Sequence, residues 1–194
     1  MRKLIVHEFM SLDGVVQAPG GQDEDLDGGF AHGGWTVPYW HDDIGKAFFQ
    51  GMQTVDAFLL GRRTYQVHGE AFEPMAPGDP FGDLMNKPKK YVVSRTLKNP
   101  VWRDTTIIRD NVVEAVRSLK GGPGKDILTD GSTKLVPLLL QHDLVDELHL
   151  TLYPLTLGGG KRILPEGLHR TFRLTSATPY PTGVVGLKYA RQES

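Results

Sequence analysis

The order of strand-like and helix-like segments is the feature that most limits how this chain can fold. Short β-rich segments occupy residues 3–9, 57–60, 91–94, 105–108 and 126–129. Amphipathic helical patterns occupy residues 42–55 and 110–120, another helix starts at residue 62, and a turn at residues 130–133 leads into an apolar helix that reaches about residue 141. After residue 146 only strand-like segments follow, at 147–153, 172–177 and 184–190. This order predicts an α/β fold with a mostly parallel central sheet flanked by helices and closed by an antiparallel C-terminal hairpin.

Turn and capping residues set the expected element boundaries. An Asp-Gly pair at residues 13–14 ends the first strand, and Asp110 is suited to cap the helix whose apolar face begins at Val112. Pro137 removes a backbone donor, so the helix predicted to follow the turn at residues 130–133 must be kinked there or begin later.

Composition favours one domain over residues 1–194. Hydrophobic residues make up 39% of the chain and charged residues 23%, which is enough to build a buried core. No linker divides the chain, because the glycine-rich and acidic stretch at residues 20–34 lies too near the N-terminus to leave a domain before it. We predict a surface loop for that stretch.

Composition also excludes several classes of function. The net charge of -1 argues against general binding to nucleic acid or to an anionic membrane, and the absence of cysteine removes disulfides, thiolate zinc sites and a cysteine nucleophile. No apolar run approaches about 18 residues, and the first one is interrupted at His7, so we expect neither a membrane span nor a signal peptide and infer a cytoplasmic location. The seven histidines lack metal-binding spacing, and His142 and His149 are expected at the surface or at a sheet edge.

Two short motifs are set aside. Residues 23–28 match the first half of a calcium-binding loop, but Gly34 stands where that loop needs a glutamate, so we predict a solvated acidic loop. Residues 158–161 (Gly-Gly-Gly-Lys) resemble a phosphate-binding loop without its Ser or Thr, and we predict a turn.

Three strand ends lead into turns that suit phosphate groups. They are residues 61–64 (Gly61, Arg62, Arg63, Thr64), 94–96 (Ser94, Arg95, Thr96) and 131–133 (Gly131, Ser132, Thr133). In a parallel sheet these ends lie along one edge, where helix N-termini offer free amides and glycine lets an anion approach the backbone. Arg62, Arg63 and Arg95 could grip the 2′-phosphate that distinguishes NADP from NAD. The alternative is that these turns are ordinary helix caps with solvated arginines.

The order of motifs resembles the riboflavin-biosynthesis reductase branch of the dihydrofolate reductase superfamily. The motifs are residues 11–14 (Ser-Leu-Asp-Gly), 60–65 (Leu-Gly-Arg-Arg-Thr-Tyr), 92–97 (Val-Val-Ser-Arg-Thr-Leu), 129–132 (Thr-Asp-Gly-Ser), 144–148 (Leu-Val-Asp-Glu-Leu), Pro154 and 157–161 (Leu-Gly-Gly-Gly-Lys). They span nearly the whole chain, which is most similar to stand-alone proteins resembling the C-terminal reductase domain of the bifunctional deaminase-reductase.

The resemblance implies a dihydrofolate-reductase-like sheet, NADPH as hydride donor, a small heterocyclic substrate and a homodimer. It implies that residues 61–64 and 94–96 hold the adenosine phosphates, that residues 131–133 hold the pyrophosphate, and that Val15 and Val16 approach the nicotinamide. Two departures put the riboflavin precursor in doubt as the substrate. Val15 stands where the biosynthetic reductases commonly have lysine, and their arginine-bearing segment for the ribose phosphate is not found.

Substrate reduction also needs a proton source and a substrate pocket. Asp13, Asp42 and Asp43 are the candidate carboxylates, because a buried carboxylate with a raised pKa could orient a ring and relay a proton. Their alternative roles are to set a turn and to cap a helix. Trp35 and Tyr39, beside the glycines at 33–34, could form a lid that stacks on the substrate, or an aromatic plug over the core or at a dimer contact. The competing function is a nucleotide-binding regulatory or interaction module without turnover.

Overall fold

A computed structural model describes residues 1–192. Its strands form one eight-stranded sheet. The strands are β1 (Leu4–Ser11), β2 (Val55–Gly61), β3 (Lys89–Val93), β4 (Thr105–Ile108), β5 (Asp126–Asp130), β6 (Glu147–Tyr153), β7 (Phe172–Pro179) and β8 (Val185–Arg191). Their spatial order is β4-β3-β2-β5-β1-β6-β8-β7. Strands β1 to β6 run parallel, and β8 runs antiparallel to both β6 and β7. The predicted fold class is therefore confirmed.

Five α-helices cover the two faces of the sheet within the described residues. They are α1 (Asp42–Met52), α2 (Arg62–Phe72), α3 (Pro80–Asn86), α4 (Val112–Gly121) and α5 (Leu135–Gln141). Helices α1 to α3 pack with Phe58 and Leu60 on one face, whereas α4 and α5 pack with Leu59 on the other. Strand β2 is buried on both faces, which explains its continuous apolar run.

Helix α3 was not anticipated, although its start carries a recognisable signal. The Asp79 carboxylate accepts hydrogen bonds from the amides of Phe81 and Gly82 at 3.0 and 2.7 Å, and Pro80 occupies the first helical position. An acidic cap followed by proline is a common helix start. The helix is only seven residues long, so its apolar periodicity was too short to detect.

The predicted cap of α4 is wrong by one residue, whereas the start of α5 matches one of the two alternatives that Pro137 left open. Helix α4 is preceded by Asn111 with φ of 49° and without a side-chain cap, whereas Asp110 forms an ion pair with Arg95 at 3.3 Å. Helix α5 begins at Leu135, so Pro137 lies in the first turn, where its missing amide would have no helical acceptor in any case. No kink is needed there. Helix α1 also ends earlier than predicted, at Met52, because β2 begins at Val55.

The expectation for His149 is also wrong. It lies on β6, between β1 and β8 in the interior of the sheet, and its Nε2 lies 2.8 Å from a Glu147 carboxylate oxygen. His142 is exposed, as predicted. No helix in residues 1–192 has the length and apolarity needed to cross a membrane.

Candidate functional site

The three predicted corners meet at one edge of the sheet. Gly61 is in register with Val93, so the corners after β2 and β3 are neighbours, and β2 also pairs with β5. The Gly61 amide donates to Ser132 Oγ at 3.0 Å, and the Ser132 amide donates to Thr64 Oγ1 at 2.9 Å. These reciprocal bonds join the β2 and β5 corners, 68 to 71 residues apart in sequence, into one unit.

Glycine is required at position 131 by both conformation and space. Gly131 has φ of 53°, and a Cβ there would lie 3.0 Å from Thr64 Oγ1. Helix α2 begins beside it at Arg62, and the preceding residue, Gly61, has no side chain to cap the amides of the first turn. Uncapped amides at a helix N-terminus attract anions, so the joined corner is suited to a phosphate group.

A wide groove of about 1130 Å³ opens beside this corner, at the ends of β3 and β4. Four basic and two acidic side chains line it: Arg95, Arg109, Arg117, Lys134, Asp110 and Glu114. The N-terminus of α4 also faces it, and Val93, Val112 and Leu138 supply apolar surface. The groove therefore combines net positive charge with apolar area, which suits an anionic ligand that carries a flat ring.

The β3 corner is held rigidly while its arginine stays available. Ser94 Oγ accepts hydrogen bonds from the amides of Thr96 and Leu97 at 3.2 and 2.9 Å, which closes a tight turn. The Arg95 side chain is 82% exposed, and its Nε lies 3.3 Å from the carboxylate of Asp110. An anion in the groove can therefore compete for Arg95.

Sequence reasoning missed three of the four basic residues in the groove. Arg109 follows β4 directly, as Arg62 follows β2, so the strand-end rule could have found it. Arg117 lies on α4 and Lys134 precedes α5. These two become neighbours only when the helices pack, and no local pattern marks them.

Arg63 forms ion pairs with two carboxylates of the acidic loop. Its guanidinium bonds to the Asp25 carboxylate at 3.0 Å and also to Asp27, and Lys161 Nζ contacts the same two carboxylates at 2.5 and 2.9 Å. Hydrogen bonds from Arg63 and Lys161 hold the pKa of Asp27 well below its usual range. We call Asp25, Asp27, Arg63 and Lys161 the acidic latch. The acidic loop lies at the surface, as predicted, and two of its carboxylates also neutralise Arg63 and Lys161.

Opening the latch is expected to free the loop. The Asp25→Asn/Asp27→Asn double variant should raise amide hydrogen exchange in residues 20–34 several-fold, because it removes the charges that bind Arg63 and Lys161. Asp23→Asn in the same loop is the matched control and should leave exchange unchanged. Equal exchange in the double variant and in the wild type would mean that the latch does not hold the loop.

Asp13 lies at the predicted turn, in a setting that favours its structural alternative. Its carboxylate accepts hydrogen bonds from Ser11 Oγ at 2.6 Å and from the amides of Leu157 and Gly158 at 3.1 and 2.9 Å. These bonds lower the pKa of Asp13 to about 2. A proton relay needs the opposite shift, so this geometry fits a turn anchor better than an acid.

Asp42 and Asp43 lie in the first turn of α1, where both are exposed. The Asp43 carboxylate pairs with Lys46 at 2.8 Å, and this hydrogen bond lowers the pKa of Asp43. The helix cap itself comes from His41, whose Nδ1 accepts from the Asp43 amide at 3.2 Å. Their position favours the helix-start alternative over a buried catalytic pair.

The predicted substrate-lid residues are part of a packed cluster. Trp35 is 6% exposed, its Nε1 donates to the Gln17 carbonyl at 2.8 Å, and its ring meets Tyr153 edge-on at 5.3 Å. Tyr39 contacts Tyr153 from another side at 6.2 Å. These contacts favour the aromatic-plug alternative.

Val15 and Val16 follow the carboxyl end of β1, and their side chains are buried. The Val15 carbonyl accepts from the Ser11 amide at 3.0 Å, and the Val16 amide donates to the Lys161 carbonyl at 2.9 Å. A ligand near this segment would therefore meet mainly its backbone.

Two of the histidines set aside in the sequence lie at this sheet edge. His68 on α2 contacts both oxygens of Asp130, the last residue of β5, at 3.1 and 3.2 Å. His7 on β1 is in register with Asp130. His7 and His68 are 61 residues apart in the sequence, and His68 and Asp130 are 62 residues apart, so no local motif predicted that they form a group. The parallel pairing of β1 with β5 brings His7 beside Asp130. Among residues 1–192, no group of three metal-ligating side chains is placed to hold a metal ion.

The fold and its strand-end site define an α/β protein of the dihydrofolate-reductase type. The chain belongs to the RibD C-terminal domain family, whose model matches residues 2–186. It is 28% identical to the uncharacterized protein YyaP of Bacillus subtilis, over 97% of this chain and 94% of that protein. It is 27% identical to the uncharacterized protein YwjB of the same organism, over 98% of both.

Solved structures share the fold at lower identity. A putative riboflavin biosynthesis protein from Shewanella matches with a TM-score of 0.73 and 21% identity, over 98% of this chain and 99% of that one. A pyrimidine reductase-like protein from Corynebacterium diphtheriae matches with a TM-score of 0.68 and 13% identity, over 100% and 93%. Dihydrofolate reductase from Enterococcus faecalis, complexed with NADP(H), matches with a TM-score of 0.61 and 15% identity, over 98% and 97%.

Proposed function

We propose that this protein is an NADPH-dependent reductase of a small heterocycle. The observation that carries the proposal is the meeting of the three glycine- or serine-bearing corners beside a basic groove at one sheet edge. Membership of the RibD C-terminal domain family supports a reductase. The dihydrofolate reductase that shares the fold is complexed with NADP(H), which supports the cofactor.

The residues present fit a phosphorylated dinucleotide. The uncapped first turn of α2 and the close approach at Gly131 fit the pyrophosphate, with residues 61–64 and 131–133 around it. Arg95 and Arg109 would hold the 2′-phosphate, and the apolar groove wall would pack on the adenine. NADPH, when bound, supplies a hydride. Arg63 can contribute to phosphate binding only after the acidic latch has opened.

Comparing four ligands tests the cofactor. We expect NADPH to bind about tenfold or more tightly than NADH, because a charge-assisted bond to one phosphate is worth about 1.5–3 kcal/mol. ADP-ribose with and without a 2′-phosphate should show the same ratio, because the discriminating contact lies in the adenosine half of the site. Isothermal titration at fixed salt measures all four affinities. Equal, weak binding of NADPH and NADH would contradict the proposal.

A binding module without turnover is the second candidate. One observation favours it: neither Asp13 nor Asp43 has the raised pKa that a proton relay requires. A protein of this kind would bind NADPH yet oxidise it with no pterin or pyrimidine substrate. Following NADPH absorbance in the presence of such rings distinguishes the two functions.

A further inference from the structure

A group of ionisable side chains that the proposed function does not yet use lies on the sheet, next to the joined corners of β2 and β5. We define the floor cluster as His7, His68 and Asp130. His7 and Asp130 are side by side on β1 and β5, on the face that also carries Ile5 and Leu128 under helices α1 to α3. His68 is one helical turn beyond Thr64, and Asp130 directly precedes Gly131. The cluster therefore lies next to the residues proposed to hold the pyrophosphate.

Two members of the floor cluster, His68 and Asp130, are bonded to each other and partly exposed to solvent. His68 Nε2 lies 3.1 and 3.2 Å from the two oxygens of Asp130, and both side chains keep about a fifth of their surface exposed, 19% and 18%. Since Nε2 is held by the carboxylate, Nδ1 is the nitrogen of His68 left to meet a ligand.

Aromatic rings form a rim around the floor cluster. Phe48 of α1 contacts His7 at 5.2 Å between ring centroids, and Phe72 of α2 contacts His68 at 5.4 Å. Phe81 of α3 contacts both phenylalanines, at 6.3 and 5.5 Å, and is 45% exposed. A polar floor inside an aromatic rim suits a planar ring that presents heteroatoms at one edge.

We propose that His68 is the proton donor of the reductase and that Asp130 is its positioning residue. The inference rests on the proposed function. NADPH, when bound, would supply a hydride to the carbon of a C=N bond in the substrate ring, and His68 Nδ1 would donate its proton to the ring nitrogen, which receives the C=N π electron pair. The products are the saturated C–N bond with its new N–H, NADP⁺ and neutral His68, which regains a proton from water.

The surrounding charges favour the protonated form of His68. Burial by itself would lower its pKa, but the charge and hydrogen bond of Asp130, with a smaller contribution from Glu24, give a net increase. The pKa of Asp130 is lowered, because its pairing with His68 and the nearby His7 outweigh its burial. Both shifts favour an imidazolium next to a carboxylate, which is the ionisation state that a proton donor needs.

The other ionisable groups on this part of the sheet have different protonation states. Burial lowers the pKa of His7 to about 4, helped by His149 and Lys188 and opposed by Asp130, so His7 is neutral near pH 7. On the opposite face of β1, burial and the charge of Asp130 raise the pKa of Glu8. Of His7, His68 and Glu8, His68 is the one that combines a raised pKa with a partly exposed side chain next to the β5 corner.

An NMR titration without cofactor tests the ion pair and its access to a ligand. The His68 imidazole signals should titrate at lower pH in Asp130→Asn than in the wild type, because the variant removes the carboxylate charge that raises the pKa of His68. Addition of 7,8-dihydropterin as the probe should shift the His68 signals and leave those of His142 in place. The proposal is overturned if His68 does not respond to the probe.

Kinetics with the same probe and NADPH test proton donation. His68→Gln should reduce single-turnover oxidation of NADPH about 100-fold or more while NADPH affinity stays within about twofold, because general acids typically contribute that much. The wild-type rate should fall as pH rises through the pKa of His68, and in Asp130→Asn that fall should occur at lower pH. His142→Gln is the matched control and should behave as wild type.

The possible failures are distinguishable. An unchanged rate in His68→Gln, or a wild-type pH profile in Asp130→Asn, overturns the assignment of His68 while NADPH binding is intact. Absence of NADPH binding overturns the proposed function instead, and the cofactor-free NMR titration still reports on the floor cluster.

Discussion

The Arg95→Ala/Arg109→Ala double variant is expected to bind NADPH about 100-fold more weakly than the wild type, with a much smaller effect on NADH. The two guanidinium groups line the groove beside the α4 N-terminus, and each can donate charge-assisted hydrogen bonds to a 2′-phosphate. Each such contact is worth about 1.5–3 kcal/mol. Because NADH lacks the phosphate, its binding should change only several-fold, through the general loss of positive charge.

Two single variants sharpen the result. Arg62→Ala removes the exposed arginine at the start of α2 and should weaken NADPH and NADH by similar factors, because that corner is proposed to face the shared pyrophosphate. Arg103→Ala is a remote control, since Arg103 pairs with Glu73 at 3.0 Å on another part of the surface. If the double variant loses NADPH and NADH affinity equally, the assignment of the 2′-phosphate to the groove is wrong.

Trp102→Ala is expected to lower the free energy of unfolding by about 3–5 kcal/mol, the range found when a large buried aromatic is truncated. Trp102 is 2% exposed and stacks on Phe58 with ring centroids 5.8 Å apart. Its Nε1 donates to Asn86 Oδ1 at 2.6 Å, and Lys90 Nζ lies 4.6 Å from its ring centroid. Truncation therefore leaves a cavity and removes partners from two buried polar side chains.

Trp40→Ala is the matched control for this loss. Trp40 is 49% exposed, so the same change of residue type there should cost well under half as much. Urea unfolding followed by circular dichroism measures both free energies. Similar losses for the two variants would contradict the assignment of Trp102 to the core.

The β2 and β5 corners were predicted from the sequence, whereas helix α3 was not, and the role of Asp13 was left open. The β2 and β5 corners were found because strand, glycine and helix start are contiguous in the chain, at residues 57–64 and 126–136. Helix α3 was missed because seven residues are too few for a periodic pattern. Asp13 was proposed as an acid because its sequence context is the same for a turn anchor and for a relay. Its three hydrogen bonds, two of them from amides 144 and 145 residues away, favour the anchor.

The amino-acid sequence alone determined the α/β class, the mostly parallel sheet with its antiparallel C-terminal hairpin, and the glycine- or serine-bearing turns after β2, β3 and β5. Those properties depend on periodicity and on turn residues that are adjacent in the chain. Only the tertiary structure decided that the acidic loop binds Arg63, that Arg109 joins Arg95 in one groove, and that His68 meets Asp130. Such contacts depend on which strands are neighbours and on how helices pack over them, and no local pattern encodes the distance between two remote side chains.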